Sequence, residues 1–123
     1  MTSRIAVITI DCADPQRLVT FWSGALGYEI REDTVGCSLC DPTGAGPAIG
    51  FQPVPEGKVV KNRVHLDLTP RDDDLEAEVV RLEQLGARRV HYFDHDPQQV
   101  WWVMQDPEEN EFCVVQFLVT PHP

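Results

Sequence analysis

Residues 10–27 open with Ile10-Asp11-Cys12-Ala13-Asp14-Pro15, continue through Leu18, Phe21, Trp22, Ala25 and Leu26, and close on Gly27. Asp14 suits a helix N-cap, because its carboxylate accepts the free N–H groups of a first turn. Pro15 suits the first helical position, where a missing donor costs nothing. The five apolar residues stand at i, i+3, i+4, i+7 and i+8, one stripe of an amphipathic helix, and Gly27 supplies its left-handed stop. Upstream, Ile5, Val7, Ile8 and Ile10 are β-branched and predict a buried strand over 4–12.

Downstream, Tyr28–Glu32, Gly36–Cys40 and Ala48–Val54 read as strands, the last two separated by a turn-rich connection over 41–47. After Pro53, Pro55, Glu56 and Gly57 the pattern restarts with a strand over Asn62–Thr69 and acidic caps at Asp72–Asp74. A helical stripe of Leu75, Val79, Leu82 and Leu85 stops at Gly86, and strands follow near Arg88–Tyr92, Val100–Gln105 and Glu111–Val119. The halves echo one another: Ile10-Asp11 with Leu66-Asp67, Leu26-Gly27 with Leu85-Gly86, Asp41-Pro42 with Asp106-Pro107, and Phe51-Gln52 with Val115-Gln116. The prediction is an α+β chain, a single domain over 1–123 made of two tandem βαβββ modules at about 4–57 and about 60–119. The two halves are expected to form one body.

The chain has 123 residues, enough to bury a core without disulfides or a structural metal. Ten Lys plus Arg against twenty Asp plus Glu give a net charge of -10, which repels a phosphate backbone and argues against nucleic acid and anionic membrane surfaces as partners. Apolar runs are far shorter than the roughly 20 residues that span a bilayer, and Met1–Ile10 lacks the layout of a secretion signal, so a cytoplasmic location is expected. Cys12, Cys37, Cys40 and Cys113 are accordingly read as thiols. Cys37-x-x-Cys40 has half the spacing of a zinc site but no second pair, and strand residues account for it better.

These motifs resemble the vicinal oxygen chelate superfamily, which includes glyoxalase I, extradiol dioxygenases and bleomycin-resistance proteins. The markers are Ile10 to Pro15, Phe21-Trp22, Leu26-Gly27, Val64-His65-Leu66-Asp67-Leu68, Leu85-Gly86-Ala87 and Asp106-Pro107-Glu108-Glu109-Asn110-Glu111-Phe112. The last is similar to the family's Asp-Pro-x-Gly-Asn hairpin, with Glu109 in place of glycine. The resemblance implies that the sheets of the two modules together curve around a central cleft, which holds a small molecule and often a divalent metal, with one ligand from the first and fourth strands of each module. The first such position falls at Val7 or Thr9, the second near Phe51-Gln52, the third on His65 and the fourth on Cys113. Only His65 carries the family's residue, so ordinary glyoxalase I activity is not expected and no cofactor is predicted.

An alternative ligand set exists, because residues two apart on a strand share a face. Asp11, His65 and Asp67 converge if the repeat brings those faces together, with Cys113 or Gln116 nearby; His65 and Asp11 are then the candidate ligands of a divalent metal at a shifted site. His65 is also a candidate general base beside Asp67 or Asp11, its bland alternative being a structural imidazole with a satisfied ring. For Asp11 and Asp67 the bland alternative, a carboxylate accepting backbone N–H bonds in a strand-to-helix loop, is preferred. Gln52 and Gln116 can orient a polar ligand or face solvent. Trp101 and Trp102 must point to opposite faces of their strand, one to core and one to cleft or interface.

The segment His91 to Pro97 reads as a solvated connection, and the acidic run at Asp72–Asp74 as favourable charge at a helix N-terminus. Two functions remain open: a metal-independent or altered-site lyase or isomerase with His65, Asp67 and Asp11 as catalytic groups, or a drug- or metabolite-sequestering protein of the bleomycin-resistance type. In both, Gln52, Trp101, Trp102, Cys113 and Gln116 are candidate ligand contacts. A homodimer is expected, because a two-fold interface covers exposed sheet edges.

Overall fold

The computed structural model describes residues 1–33 and 36–118, so the connection at 34–35 and the strand end expected at Val119 lie outside the described residues. The chain divides into two compact units, Met1–Gly57 and Lys58–Pro123. In the first, β1 (Val7–Cys12) leads into α1 (Pro15–Leu26), followed by β2 (Glu29–Asp33), β3 (Gly36–Cys40) and β4 (Ala48–Pro53). The second repeats the order with β5 (Asp67–Leu68), α2 (Leu75–Leu85), β6 (Arg88–Phe93), β7 (Gln99–Gln105) and β8 (Glu111–Phe117). The sheets are β1-β4-β3-β2 and β5-β8-β7-β6, each with its first and last strands parallel and the other pairs antiparallel. These are two tandem βαβββ modules of an α+β fold.

Both helices form for the local reasons written in their sequences. The Asp14 carboxylate accepts the Arg17 N–H at 3.2 Å, Pro15 opens α1, and Gly27 at φ 71° donates its N–H to the Ser23 carbonyl. Leu18, Val19, Phe21, Trp22 and Ala25 are buried, with the Phe21 and Trp22 rings edge-to-face at 5.2 Å. They pack toward Leu39, Ile49 and Phe51 of the sheet, and each such fully buried side chain contributes about 1.5–3 kcal/mol. In α2 the Asp74 carboxylate accepts the Ala77 N–H at 3.0 Å, and Leu75, Val79 and Leu82 are buried. Leu85, expected on the same stripe, is 39% exposed. No helix among the described residues is long and apolar enough to cross a membrane.

The predicted strand over Asn62–Thr69 is reduced to the two residues of β5. Its neighbour β8 is occupied differently there: the Glu111 side chain accepts the Asn62 N–H at 2.8 Å and pairs with Lys58 at 2.9 Å, so side-chain bonds replace a longer ladder. Register also corrects the internal repeat. Asp11 pairs with Gln52 across β1 and β4, and Asp67 with Cys113 across β5 and β8. Cys113, not Gln116, is therefore the counterpart of Gln52.

Candidate functional site

Strand pairing builds one wall of a cavity on the second sheet, row by row. Phe93, Trp101 and Val115 are cross-strand neighbours over β6, β7 and β8, and Val103, Cys113 and Asp67 are neighbours over β7, β8 and β5. Paired residues share a face, so these six side chains lie on one side of the sheet. Phe112 and Val114, on the other side, are fully buried. The cavity lined by these rows, with Lys61, His65, Gln99 and Glu111, measures about 340 Å³.

An irregularity in β6 decides which aromatics reach it. Arg89 pairs with Met104 but His91 with Val103, so Val90 is an extra, bulged residue. Strict alternation from Arg89 would put His91 and Phe93 on the opposite face; the bulge turns them toward the cavity side and leaves Tyr92 against Trp102, ring centroids 5.3 Å apart. Phe93 then stacks on Trp101 at 5.2 Å and 18°, and His95 stands edge-on to Trp101 at 5.6 Å. The solvated connection expected over His91 to Pro97 is shorter than predicted: His91, Tyr92 and Phe93 belong to β6, while Asp94 to Gln98 form the mostly exposed link into β7, with the His95 ring against Phe93 and Trp101.

Beside that wall three chemically active groups meet. His65 Nδ1 lies 2.8 Å from Asp67 Oδ1 and 3.9 Å from Cys113 Sγ. His65 and Asp67 are exposed, at 41% and 56% of their side chains, contrary to the expectation of a buried strand, because β5 is an edge strand and His65 precedes it. Cys113 is buried. Desolvation first, then the charge and hydrogen bond of Asp67, push its thiol up to about 11, with the Lys61 charge opposing. Cys113 is therefore a protonated thiol at neutral pH. Since thiol and carboxylate approach the same ring nitrogen, the three do not form a nucleophilic relay, which needs one partner on each nitrogen.

Glu111 is an ionised neighbour of the cavity. Burial alone would raise its pKa, but the bonds from the Asn62 N–H and the Lys58 ammonium outweigh it and hold the carboxyl below its ordinary value.

The remaining sequence candidates lie elsewhere. Trp102 and Gln116 are on the face opposite the cavity: the Arg89 guanidinium sits 4.9 Å over the Trp102 ring, and Gln116 Nε2 donates to the Asp73 carbonyl at 2.9 Å. Asp11 and Gln52 are exposed neighbours in the first unit, with Thr9 on the same face of β1. Phe93, Lys61, Gln99, Val103 and Val115 were not legible as lining residues, although alternation along β7 and β8 was a usable signal for the two valines.

The family model for the glyoxalase-like domain matches residues 7–115. No curated protein sequence matches the chain. Among solved structures, the fold is similar to a glyoxalase/bleomycin resistance protein/dioxygenase family enzyme from Burkholderia phytofirmans PsJN, with a TM-score of 0.78 at 16% identity over 94% of this chain and 100% of that one. It is also similar to the fosfomycin resistance protein FosX from Listeria monocytogenes, with a TM-score of 0.75 at 14% identity over 94% of each chain. A variant of that Listeria protein, solved with Mn(II) and 1S,2S-dihydroxypropylphosphonic acid, matches at a TM-score of 0.73 and 14% identity over 93% of this chain and 90% of that one. With its paired βαβββ modules and a family match over nearly its whole length, the chain belongs to the glyoxalase-like domain family of the vicinal oxygen chelate superfamily.

Proposed function

We propose that the protein binds a small organic molecule in the second unit's cavity and acts on it as an altered-site lyase or isomerase, with His65 and Asp67 as the reactive groups and Cys113 as a ligand contact beside them. The observation that carries this is their position in one cavity with the stacked pair Phe93 and Trp101. A volume of about 340 Å³ suits a small ligand, and an apolar wall with a few convergent polar groups is the usual form of such sites. Asp67 accepts only if His65 carries its proton on Nδ1, which leaves the Nε2 lone pair able to take a proton from substrate. His65 serves there as base or as ligand, and Asp67 orients it. Asp11 and Gln52, a carboxylate and an amide side by side in the first unit, are not assigned to this cavity. Trp102 and Gln116 are not assigned to the cavity.

On this proposal the two units make one domain, and the protein is a cytoplasmic homodimer. Its four cysteines are free thiols, which suits a reducing compartment, and Ile5 and Val7 are 70% and 51% exposed, apolar surface that a second copy would cover. Light scattering on the purified chain reads the dimer.

The function is tested by tryptophan fluorescence across a panel of aromatic and cationic metabolites, followed by turnover assays on those that bind. Quenching that disappears in Trp101→Ala, with turnover abolished in a folded His65→Ala, is the expected result. Quenching unchanged in Trp101→Ala overturns the assignment of the cavity, and binding without conversion of any ligand replaces the enzyme with a sequestering protein.

A further inference from the structure

We propose that His65, Asp67 and Cys113 form a site for a thiophilic divalent cation of the zinc class, built within the second unit alone. This rests on the assignment of the cavity as the functional site. One nitrogen, one oxygen and one sulfur, from three side chains, lie within 4.8 Å of one another, so small side-chain adjustments bring them to a common ion. Register holds two of them in place, since Asp67 and Cys113 are paired on β5 and β8.

The donor set decides the class of ion. Thiolate and imidazole favour zinc and its like, whereas manganese and magnesium are suited to carboxylate, carbonyl and water oxygens. A thiolate and a carboxylate together balance a dication, and three protein ligands leave a further position open, as in catalytic rather than structural zinc sites. The corresponding places in the first unit carry Thr9, Asp11 and Gln52, a hydroxyl, a carboxylate and an amide, and no metal-holding cluster is found there among the described residues. Asp67, two residues after His65, thus supplies a ligand that the family pattern of one residue per strand does not include.

Uptake exchanges protons for the cation. The Cys113 thiol proton leaves to solvent, the imidazole proton resides on Nε2, and no electrons change hands. When bound, such an ion supplies a Lewis acid to a carbonyl or phosphoryl oxygen in the cavity.

The test is cobalt(II) titration of the full chain after chelator treatment, read by the near-ultraviolet thiolate-to-cobalt charge-transfer band. The band is expected in the wild type, absent in Cys113→Ser, bleached by zinc and unaffected by excess manganese. Asp67→Asn and His65→Gln should each weaken cobalt binding by roughly tenfold or more. No band, a band undiminished in Cys113→Ser, or displacement by manganese as readily as by zinc overturns the proposal. The exposed positions 65 and 67 decide the matter if Cys113→Ser fails to fold, since unchanged affinity in both of those variants also overturns it. Ligand quenching at Trp101 in the presence of chelator separates the two failures: it persists if only the metal site is wrong and is missing if the cavity itself is misassigned.

Discussion

Asp106 and Asn110 are bonded to each other four times. The Asp106 N–H donates to the Asn110 carbonyl at 2.9 Å, the Asn110 N–H donates to Asp106 Oδ1 at 3.0 Å, and Asn110 Nδ2 reaches Oδ1 at 3.2 Å and Oδ2 at 3.0 Å. This closes the hairpin between β7 and β8 and holds Cys113 in register with Val103. Asp106 is 3% exposed, so removing its carboxylate strands several donors. Asp106→Ala is expected to cost about 2–3 kcal/mol by urea denaturation.

Within the same hairpin Glu109 has φ 68°, a conformation that side chains with a Cβ adopt at a cost. Glycine relieves that cost but loses more entropy on folding. Glu109→Gly is expected to stabilise the protein by up to about 1 kcal/mol in thermal or urea unfolding, and a loss of stability would mean that Glu109 makes a compensating contact.

Glu111 sets a pH dependence. Its folded pKa is below the unfolded value of roughly 4.3, so the stabilisation it gives is present above that pH and is lost as pH falls through the folded value. Glu111→Gln should destabilise the protein by roughly 1–2 kcal/mol at neutral pH. Denaturant midpoints of variant and wild type should converge as pH falls through the folded pKa of Glu111.

Reactivity of the thiols should follow their surroundings. Cys113 is buried and its thiol is pushed up to about 11, whereas Cys37 and Cys40 are half-buried. Mass spectrometry after a short iodoacetamide pulse at neutral pH should find Cys37 and Cys40 labelled ahead of Cys113.

The two tryptophans of β7 should separate cleanly. Trp101→Ala removes part of the cavity wall and should weaken ligand binding by roughly tenfold, in line with the loss of a stacking surface and its buried area. Trp102→Ala, on the opposite face beneath Arg89, should leave ligand affinity within about twofold of wild type, since distant sites act independently.

The helices were legible because everything that makes them is local: Asp14 and Asp74 as caps, Gly27 and Gly86 as stops, and apolar residues at helical spacing between. The βαβββ order of elements followed from the repeated pattern, but strand order within each sheet and register did not. Matching Phe51-Gln52 with Val115-Gln116 by residue type misplaced Gln116 by three positions, an odd number, and so onto the wrong face. His65 and Asp67 stood out as an imidazole and a carboxylate two apart. Their third partner, 48 residues beyond His65, was legible only as a choice between Cys113 and Gln116, and strand pairing selects Cys113. Phe93 escaped notice because Arg88 to Phe93 alternates equally well in either phase, and only the extra residue at Val90 selects one.

That extra residue has a wider effect. In a regular strand the two ends are locked in phase, so any change that reorients one reorients the other. Here Arg89 is tied to Glu76 and Glu83 of α2, while His91 and Phe93, just past Val90, belong to the opposite side. Substitutions that suit helix docking and substitutions that suit cargo therefore fall on separate ledges of one strand, and selection can tune either without disturbing the other.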